Sequence, residues 1–119
     1  MVKRGVVFSK SGQAELLAMI DRLTVNARTA ASLFMTGDER IARRLAGEKE
    51  VFRTMESTAT DAHFQRLREG HADTVETSTL HLDALRDLKS VNANLVAAAA
   101  YPILEKNGKL LPTRLRLEA

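Results

Sequence analysis

Apolar residues recur every three or four positions along three long segments of this chain. In the first segment the spacings are 4, 3, 4, 3 and 4. That period is typical of one buried face of an α-helix. It predicts a first helix over about 11–35, with a buried stripe formed by Leu16, Ile20, Leu23, Ala27, Ala30 and Phe34.

The second segment has the same period and one polar interruption. Thr36-Gly37-Asp38 separates it from the first, since Gly37 suits a helix C-terminus and Asp38 suits an N-cap. The pattern predicts a helix over about 39–68. Glu48 either lies at a bundle edge beside a basic partner or forms a buried hydrogen-bond hub. The predicted stripe comprises Ile41, Leu45, Glu48, Phe52, Met55, Ala59 and Ala62.

A third helical pattern follows the break at Glu69-Gly70 and predicts a helix over about 73–106. Pro102 should end or bend that helix near 98–101, because its ring clashes with the preceding turn. Three long helices with short connections favour antiparallel neighbours. The predicted fold is all-α, an antiparallel three-helix bundle of the spectrin-like up-down-up kind. Its third stripe contains Thr77, Leu80, Ala84, Leu88, Val91, Leu95 and Ala98, widened by Leu82 and Leu85.

Composition supports this fold and narrows the chemistry. The chain has 119 residues, which suits a single domain over 1–119, and only 4% of them are aromatic. The absence of cysteine excludes disulfides and thiolate metal sites. The apolar run at 5–8 is too short for a signal peptide or a membrane span, so we expect the chain as given to be soluble.

Charge gives no sign of a nucleic-acid partner. The formal net charge is only +3, and acidic residues are mixed with basic ones through 38–50. Lys106, Lys109, Arg114 and Arg116 form a mildly basic tail, with Tyr101 as the only tyrosine. A solvated surface and terminus explain this pattern, so we expect no nucleic-acid binding.

Polar side chains on the second and third helices are the candidates for chemistry. A carboxylate pair with a histidine could hold a metal, and His81, Asp83 and Asp87 are the weak candidates. The alternative is that these groups make ordinary surface ion pairs. The chain has no Glu-x-x-His, no Gly-x-Ser-x-Gly and no Gly-rich phosphate loop, so we expect no enzyme. The whole polar set is Glu56, His63, Arg66, His81, Asp83, Arg86, Asp87 and Asn92.

Several blocks of sequence carry a family resemblance. The longest runs His-Leu-Asp-Ala-Leu-Arg-Asp-Leu-Lys-Ser-Val-Asn over 81–92, followed by Ala-Tyr-Pro-Ile-Leu over 100–104. An opening block over 5–15 and middle blocks over 49–56 and 63–67 accompany it. Together they resemble the PhoU-like domain of bacterial sodium/phosphate cotransporters, from Gly5 to about Leu115.

The resemblance implies a non-catalytic regulatory or accessory domain on the cytoplasmic face of the inner membrane. Its partner would be the membrane domain of a sodium-dependent phosphate transporter, and its role would be in phosphate uptake control. Many PhoU proteins hold metal clusters on acidic motifs, but here Lys89 and Ala93 occupy the matching positions. We therefore expect no cofactor, and no iron or zinc at those two positions. The alternative function is a metal-binding helical assembly module without a transporter.

Alanine-rich faces suggest self-association. Ala97–Ala100 form a run of four, and Ala27, Ala30 and Ala31 lie on the first helix. Small residues allow close helix approach, so we expect a two-fold homodimer. The alternative is that these alanines pack inside one bundle.

Overall fold

The computed structural model describes residues 10–70 and 75–106, and helices occupy nearly all of them. The helices are α1 (Lys10–Thr36), α2 (Glu39–Arg68), α3 (Val75–Ala99) and the short α4 (Tyr101–Lys106). No strand occurs in these two ranges. The predicted all-α class is therefore confirmed.

The turn between α1 and α2 forms as its residues predict. Gly37 adopts a φ of 63°, a left-handed conformation that glycine accepts without steric cost, and its N–H donates to the Leu33 carbonyl at 2.8 Å. The Asp38 carboxylate then caps α2 by accepting from the backbone N–H groups of Arg40 and Ile41. After α2, Gly70 turns the chain with a φ of 82°.

The third segment differs from the single helix predicted over 73–106. The structure ends α3 at Ala99, makes a turn at Ala100 and begins α4 at Tyr101. Pro102 has no N–H to donate to the carbonyl four residues earlier, which explains the break and confirms the predicted effect of this proline. Positions 73 and 74 lie outside the described residues.

The three long helices pack against one another, and α4 packs against α2 and α3. Two contacts between α1 and α3 join residues 66 positions apart, Glu15 with His81 and Asn26 with Asn92. The constant offset shows that α1 and α3 run parallel and in register. In contrast, α2 is antiparallel to α1, because Arg66 reaches Glu15 while Glu48 reaches Arg22.

The apolar core consists of two clusters along the bundle axis. One lies near the α1–α2 turn and includes α4, and the other lies nearer the opposite end. The first contains Ala30, Leu33, Ala42, Leu45, Val96, Ala99, Ala100 and Leu104. The second contains Met19, Phe52, Ala59 and Leu85.

The predicted stripe of α2 is broadly confirmed, because Leu45, Phe52 and Ala59 are buried. The predicted stripe of α1 is right at Ala30, which is buried, and at Leu16 and Leu23, which pack partly buried against the core, but it is wrong at its other positions. Ile20 is 43% exposed and Phe34 is 69% exposed, and the inward positions are shifted by one residue. The buried residues of α1 are Gly12, Met19, Asn26, Ala30 and Leu33.

The predicted stripe of α3 is also only partly right: Thr77 and Leu85 are buried, but elsewhere the buried positions are shifted by one residue. Leu80 and Val91 are exposed, and polar residues occupy several of the inward positions. The physical reason is the same in both helices: a search for apolar periodicity passes over a polar residue that the fold buries. The buried residues of α3 are Thr77, His81, Leu85, Asn92, Val96 and Ala99.

The alanine faces are divided between the core and the surface. Ala30, Ala99 and Ala100 are buried within the bundle. Ala27, Ala31, Ala97 and Ala98 remain exposed.

Candidate functional site

Two polar clusters lie inside the bundle, and they are its candidate functional features. We call the first the central polar layer; it consists of Arg22, Asn26, Glu48 and Asn92. We call the second the histidine cluster; it consists of Glu15, His63, Arg66, Ser78 and His81.

The central polar layer links all three long helices. Asn26 of α1 donates to the Asn92 Oδ1 of α3 at 2.9 Å and to the Glu48 Oε1 of α2 at 3.0 Å. Asn92 donates in turn to the backbone carbonyl of Glu48 at 3.2 Å. Asn92 is fully buried and Asn26 is 5% exposed, so their side-chain amides form hydrogen bonds within the protein in place of hydrogen bonds to water. The layer fixes the register of three helices at one level.

Arg22 closes this layer at the surface. Its Nε and Nη2 donate to the two carboxylate oxygens of Glu48 at 2.6 and 2.8 Å, a bidentate arrangement. Hydrogen bonding from Arg22 lowers the pKa of Glu48, and the Asn26 amide acts in the same direction against the effect of burial. Glu48 therefore has both features that its place in the stripe suggested, a basic partner and a hub of hydrogen bonds.

The histidine cluster lies nearer the start of α1. The rings of His63 and His81 stack with centroids 5.2 Å apart, and both side chains are almost wholly buried. His81 Nε2 lies 3.2 Å from a carboxylate oxygen of Glu15, while His63 Nε2 lies 3.0 Å from the Ser78 hydroxyl. Arg66 donates to both Glu15 oxygens at 3.1 and 3.4 Å. One carboxylate thus holds a guanidinium of α2 and an imidazole of α3.

Burial lowers the pKa of His81, and this effect outweighs the opposite influence of Glu15. The charges of His63 and Arg66 also oppose a proton on His81. The neutral ring is the form that this site favours at neutral pH. A histidine beside a serine hydroxyl can activate a nucleophile; here His63 is only 2% exposed, and Ser78 is partly buried.

The remaining predicted site residues lie outside these clusters. Glu56 of α2 pairs with Lys89 of α3 at 2.9 Å. Asp83 pairs with Arg86 on the surface of α3 at 2.6 Å, as the ion-pair alternative predicted. Asp87 is exposed.

The weak metal candidates are not brought together. His81 faces the core, whereas Asp83 and Asp87 are on the outward side of α3. Within residues 10–70 and 75–106, no three His, Asp or Glu side chains are arranged to hold a metal ion.

Sequence reasoning missed Glu15, Arg22, Asn26 and Ser78 as site residues. One signal was available. Asn26 is seven residues from both Met19 and Leu33, so a seven-residue repeat beginning at Gly12 passes through it. Glu48 in an apolar stripe also required a partner from another helix.

Comparison with known proteins identifies relatives for most of the chain. It is 40% identical over 99 residues to a protein of Salmonella typhimurium named "Putative inorganic phosphate export protein YjbB", and 38% identical to the protein of that name from Escherichia coli K12. The match covers 83% of this chain but only 18% of either relative. No family model and no solved structure matches. Among the described residues, no helix is long and apolar enough to cross a membrane. The chain is similar to about a fifth of a much longer protein.

Proposed function

We propose that this chain is a regulatory or accessory helical domain of a phosphate transport protein. The observation that carries the proposal is the 40% identity to YjbB over 83% of the chain. The blocks of sequence that resemble the PhoU-like domain of phosphate cotransporters suggest the same role.

The direction of transport is the point on which these two sources differ. The relatives are named for phosphate export, whereas the resemblance implies a sodium-dependent transporter and control of uptake. We propose a role in phosphate movement and take export as the first direction to test, because the sequence match to YjbB is extensive.

The mechanism we propose is docking of a helix face, without catalysis. The polar groups of the central polar layer and of the histidine cluster make contacts between helices. The partners would be the membrane domain of the transporter and a second copy of the domain. We place this docking on the cytoplasmic face of the inner membrane.

A segment exchange tests the proposal. The 99-residue segment of Escherichia coli YjbB that matches this chain is deleted or replaced by the chain, and radiolabelled phosphate efflux and uptake are measured in cells lacking native YjbB. We expect deletion to impair or deregulate transport and replacement to restore it. Unchanged transport after deletion, with the membrane part present in normal amount, would contradict the proposal.

A further inference from the structure

The exposed apolar residues of the bundle are concentrated on one of its faces. Leu17, Ile20 and Phe34 of α1 are 58%, 43% and 69% exposed, and Leu80 and Val91 of α3 are 37% and 51% exposed. We call the surface that these residues form with Ala27 the α1–α3 face. The helix positions between them (24, 31, 84, 88, 95 and 98) hold Thr, Ala or Leu, so this face carries no charge.

The contacts of α2 show which side of the bundle this face occupies. On α1, Arg22 contacts α2 and lies about 60° to one side of the inward Met19, while Ile20 lies about 100° to the other side. On α3, Lys89 contacts α2, whereas Val91 lies on the opposite side of the inward Leu85. The apolar residues of both helices therefore lie on the surface away from α2.

The ion pairs between helices are distributed in the opposite way. In the described part of the chain, those involving Arg22, Arg66 and Lys89 all join α2 to a neighbouring helix. An uncharged apolar surface spanning two helices is unusual for an isolated soluble domain and marks an interaction site.

Charges at the edge of the face indicate what covers it. Asp21 and Arg28 lie at the outer edge of α1, seven residues apart, and neither forms an ion pair within the described residues. Asp83 and Asp87 lie at the outer edge of α3. Asp83 is paired with Arg86, but Asp21 and Asp87 form no ion pair within the described residues, and these two charges oppose docking onto an anionic lipid surface.

The same charges are self-complementary. Asp21 and Arg28 are equally distant from the midpoint between Thr24 and Val25. If two α1 helices cross antiparallel at that point, Asp21 of each copy lies opposite Arg28 of the partner subunit. The small side chains of Thr24 and Ala27 near the centre allow the helices to approach closely.

A second two-fold arrangement, in which the helices of the two copies run parallel across the face, is unfavourable. It would place α1 of one copy against α3 of the other at the same level along the bundle. The offset of 66 residues between these helices then sets Asp21 opposite the partner's Asp87, so like charges meet. In the antiparallel arrangement Asp87 lies opposite the partner's Asn94, which avoids that repulsion.

We propose that the α1–α3 face binds a second copy of this chain across a two-fold axis, with α1 antiparallel to the partner's α1. This inference deepens the self-association in the proposed function and rests on it. From residue 17 to residue 34, α1 extends about 25 Å, and two adjacent helices are about 20 Å wide. Both copies together would cover on the order of 1,000 Å², the lower limit for a specific interface. The expected dimer is of micromolar strength.

Sedimentation velocity and light scattering on the 119-residue chain, without phosphate, test this surface. At tens of micromolar we expect twice the chain mass of 13.1 kDa. Ala27→Glu should give a monomer with unchanged helix content in circular dichroism. Val25→Glu is the matched control: Val25 is 56% exposed on α1 but lies on the same side of Met19 as Arg22, which contacts α2, so this variant should remain dimeric.

Charge reversal separates a second copy from any other occupant. Asp21→Arg alone and Arg28→Asp alone should each weaken the dimer roughly tenfold, because two attractive pairs become repulsive. The double variant restores both pairs and should return the dimer to its original strength. A monomer at all concentrations, a dimer unaffected by Ala27→Glu, or no recovery in the double variant would each overturn the proposal. Because no phosphate is involved, none of these results depends on the transport assay.

Discussion

Replacing Asn92 with alanine tests the central polar layer directly. Asn92 is fully buried on α3, where it accepts a hydrogen bond from Asn26 and donates one to the backbone carbonyl of Glu48. Asn92→Ala removes both bonds at once. It also leaves one hydrogen of the Asn26 amide without its acceptor, inside a site that excludes water.

The magnitude follows from these two bonds. Each intramolecular hydrogen bond contributes about 0.5–1.5 kcal/mol net, and a buried donor without an acceptor adds to the loss. Asn26 keeps its second bond, to the Glu48 carboxylate, which limits the damage. We therefore expect Asn92→Ala to lower the free energy of unfolding by about 2–3 kcal/mol.

Urea unfolding followed by circular dichroism measures this change. Ser90→Ala is the control, because Ser90 is exposed two positions earlier on α3, away from the α1–α3 face, and its replacement should alter stability by less than about 0.5 kcal/mol. In a double-mutant cycle with Asn26→Ala, we expect a coupling energy of about 1 kcal/mol. Additive single effects, or an Asn92→Ala variant as stable as the control, would show that the layer does not link the helices.

Three further substitutions test the interior. His81→Gln should flatten the pH dependence of stability. Because the pKa of His81 in the folded state lies below the usual 6.5, the unfolded chain takes up the proton first, and the stability of the unmodified chain falls as pH drops below 6.5. Urea midpoints at several pH values between 7 and 5 measure this dependence. Glu48→Gln should lower the free energy of unfolding by only about 1 kcal/mol at pH 7, because its partner Arg22 is half exposed and solvent weakens the ion pair. The same substitution should remove the part of the stability that the unmodified chain loses as pH falls below 4.5, and the same titration measures this effect. Leu33→Ala should cost about 2–5 kcal/mol in urea unfolding, whereas Met35→Ala, at an 88% exposed position, should cost almost nothing.

The class of fold and the α1–α2 turn could be predicted from sequence because both depend on local chemistry. Gly37 and Asp38 act through their own backbone conformation and a side chain within three residues. Pro102 acts through its missing N–H, and it divides the third segment as its chemistry requires. In each case the cause and its effect lie within one turn of helix.

The phase of the stripes could not be predicted with the same success. In α2 the apolar residues and the inward positions coincide, apart from Glu48. In α1 the inward position is Asn26, which becomes favourable only when Asn92 and Glu48 arrive from other helices. A rule that assigns apolar residues inward therefore selected Ile20 instead of Met19. Long-range polar pairing is not visible in the periodicity of one helix.

The histidine cluster shows the same limit. Arg66 and His81 were selected as polar candidates, but their shared partner Glu15 lies 51 and 66 residues away from them. The sequence shows which side chains are unusual. The contacts that neutralise them depend on the parallel register of α1 and α3, which only the assembled bundle defines.

Burial of polar residues and exposure of apolar ones have a common consequence for stability. Because Asn26 and Asn92 point inward, Ile20 and Val91 point outward, and the isolated bundle loses the contribution of about 1.5–3 kcal/mol that full burial of each such side chain gives. A partner that covers the α1–α3 face restores part of this contribution. Binding only to the folded state raises stability by mass action. We therefore expect the thermal unfolding midpoint of the chain to rise with its concentration over the micromolar range, and that of Ala27→Glu to stay constant. A midpoint independent of concentration in the unmodified chain would mean that the exposed residues are not covered by a second copy.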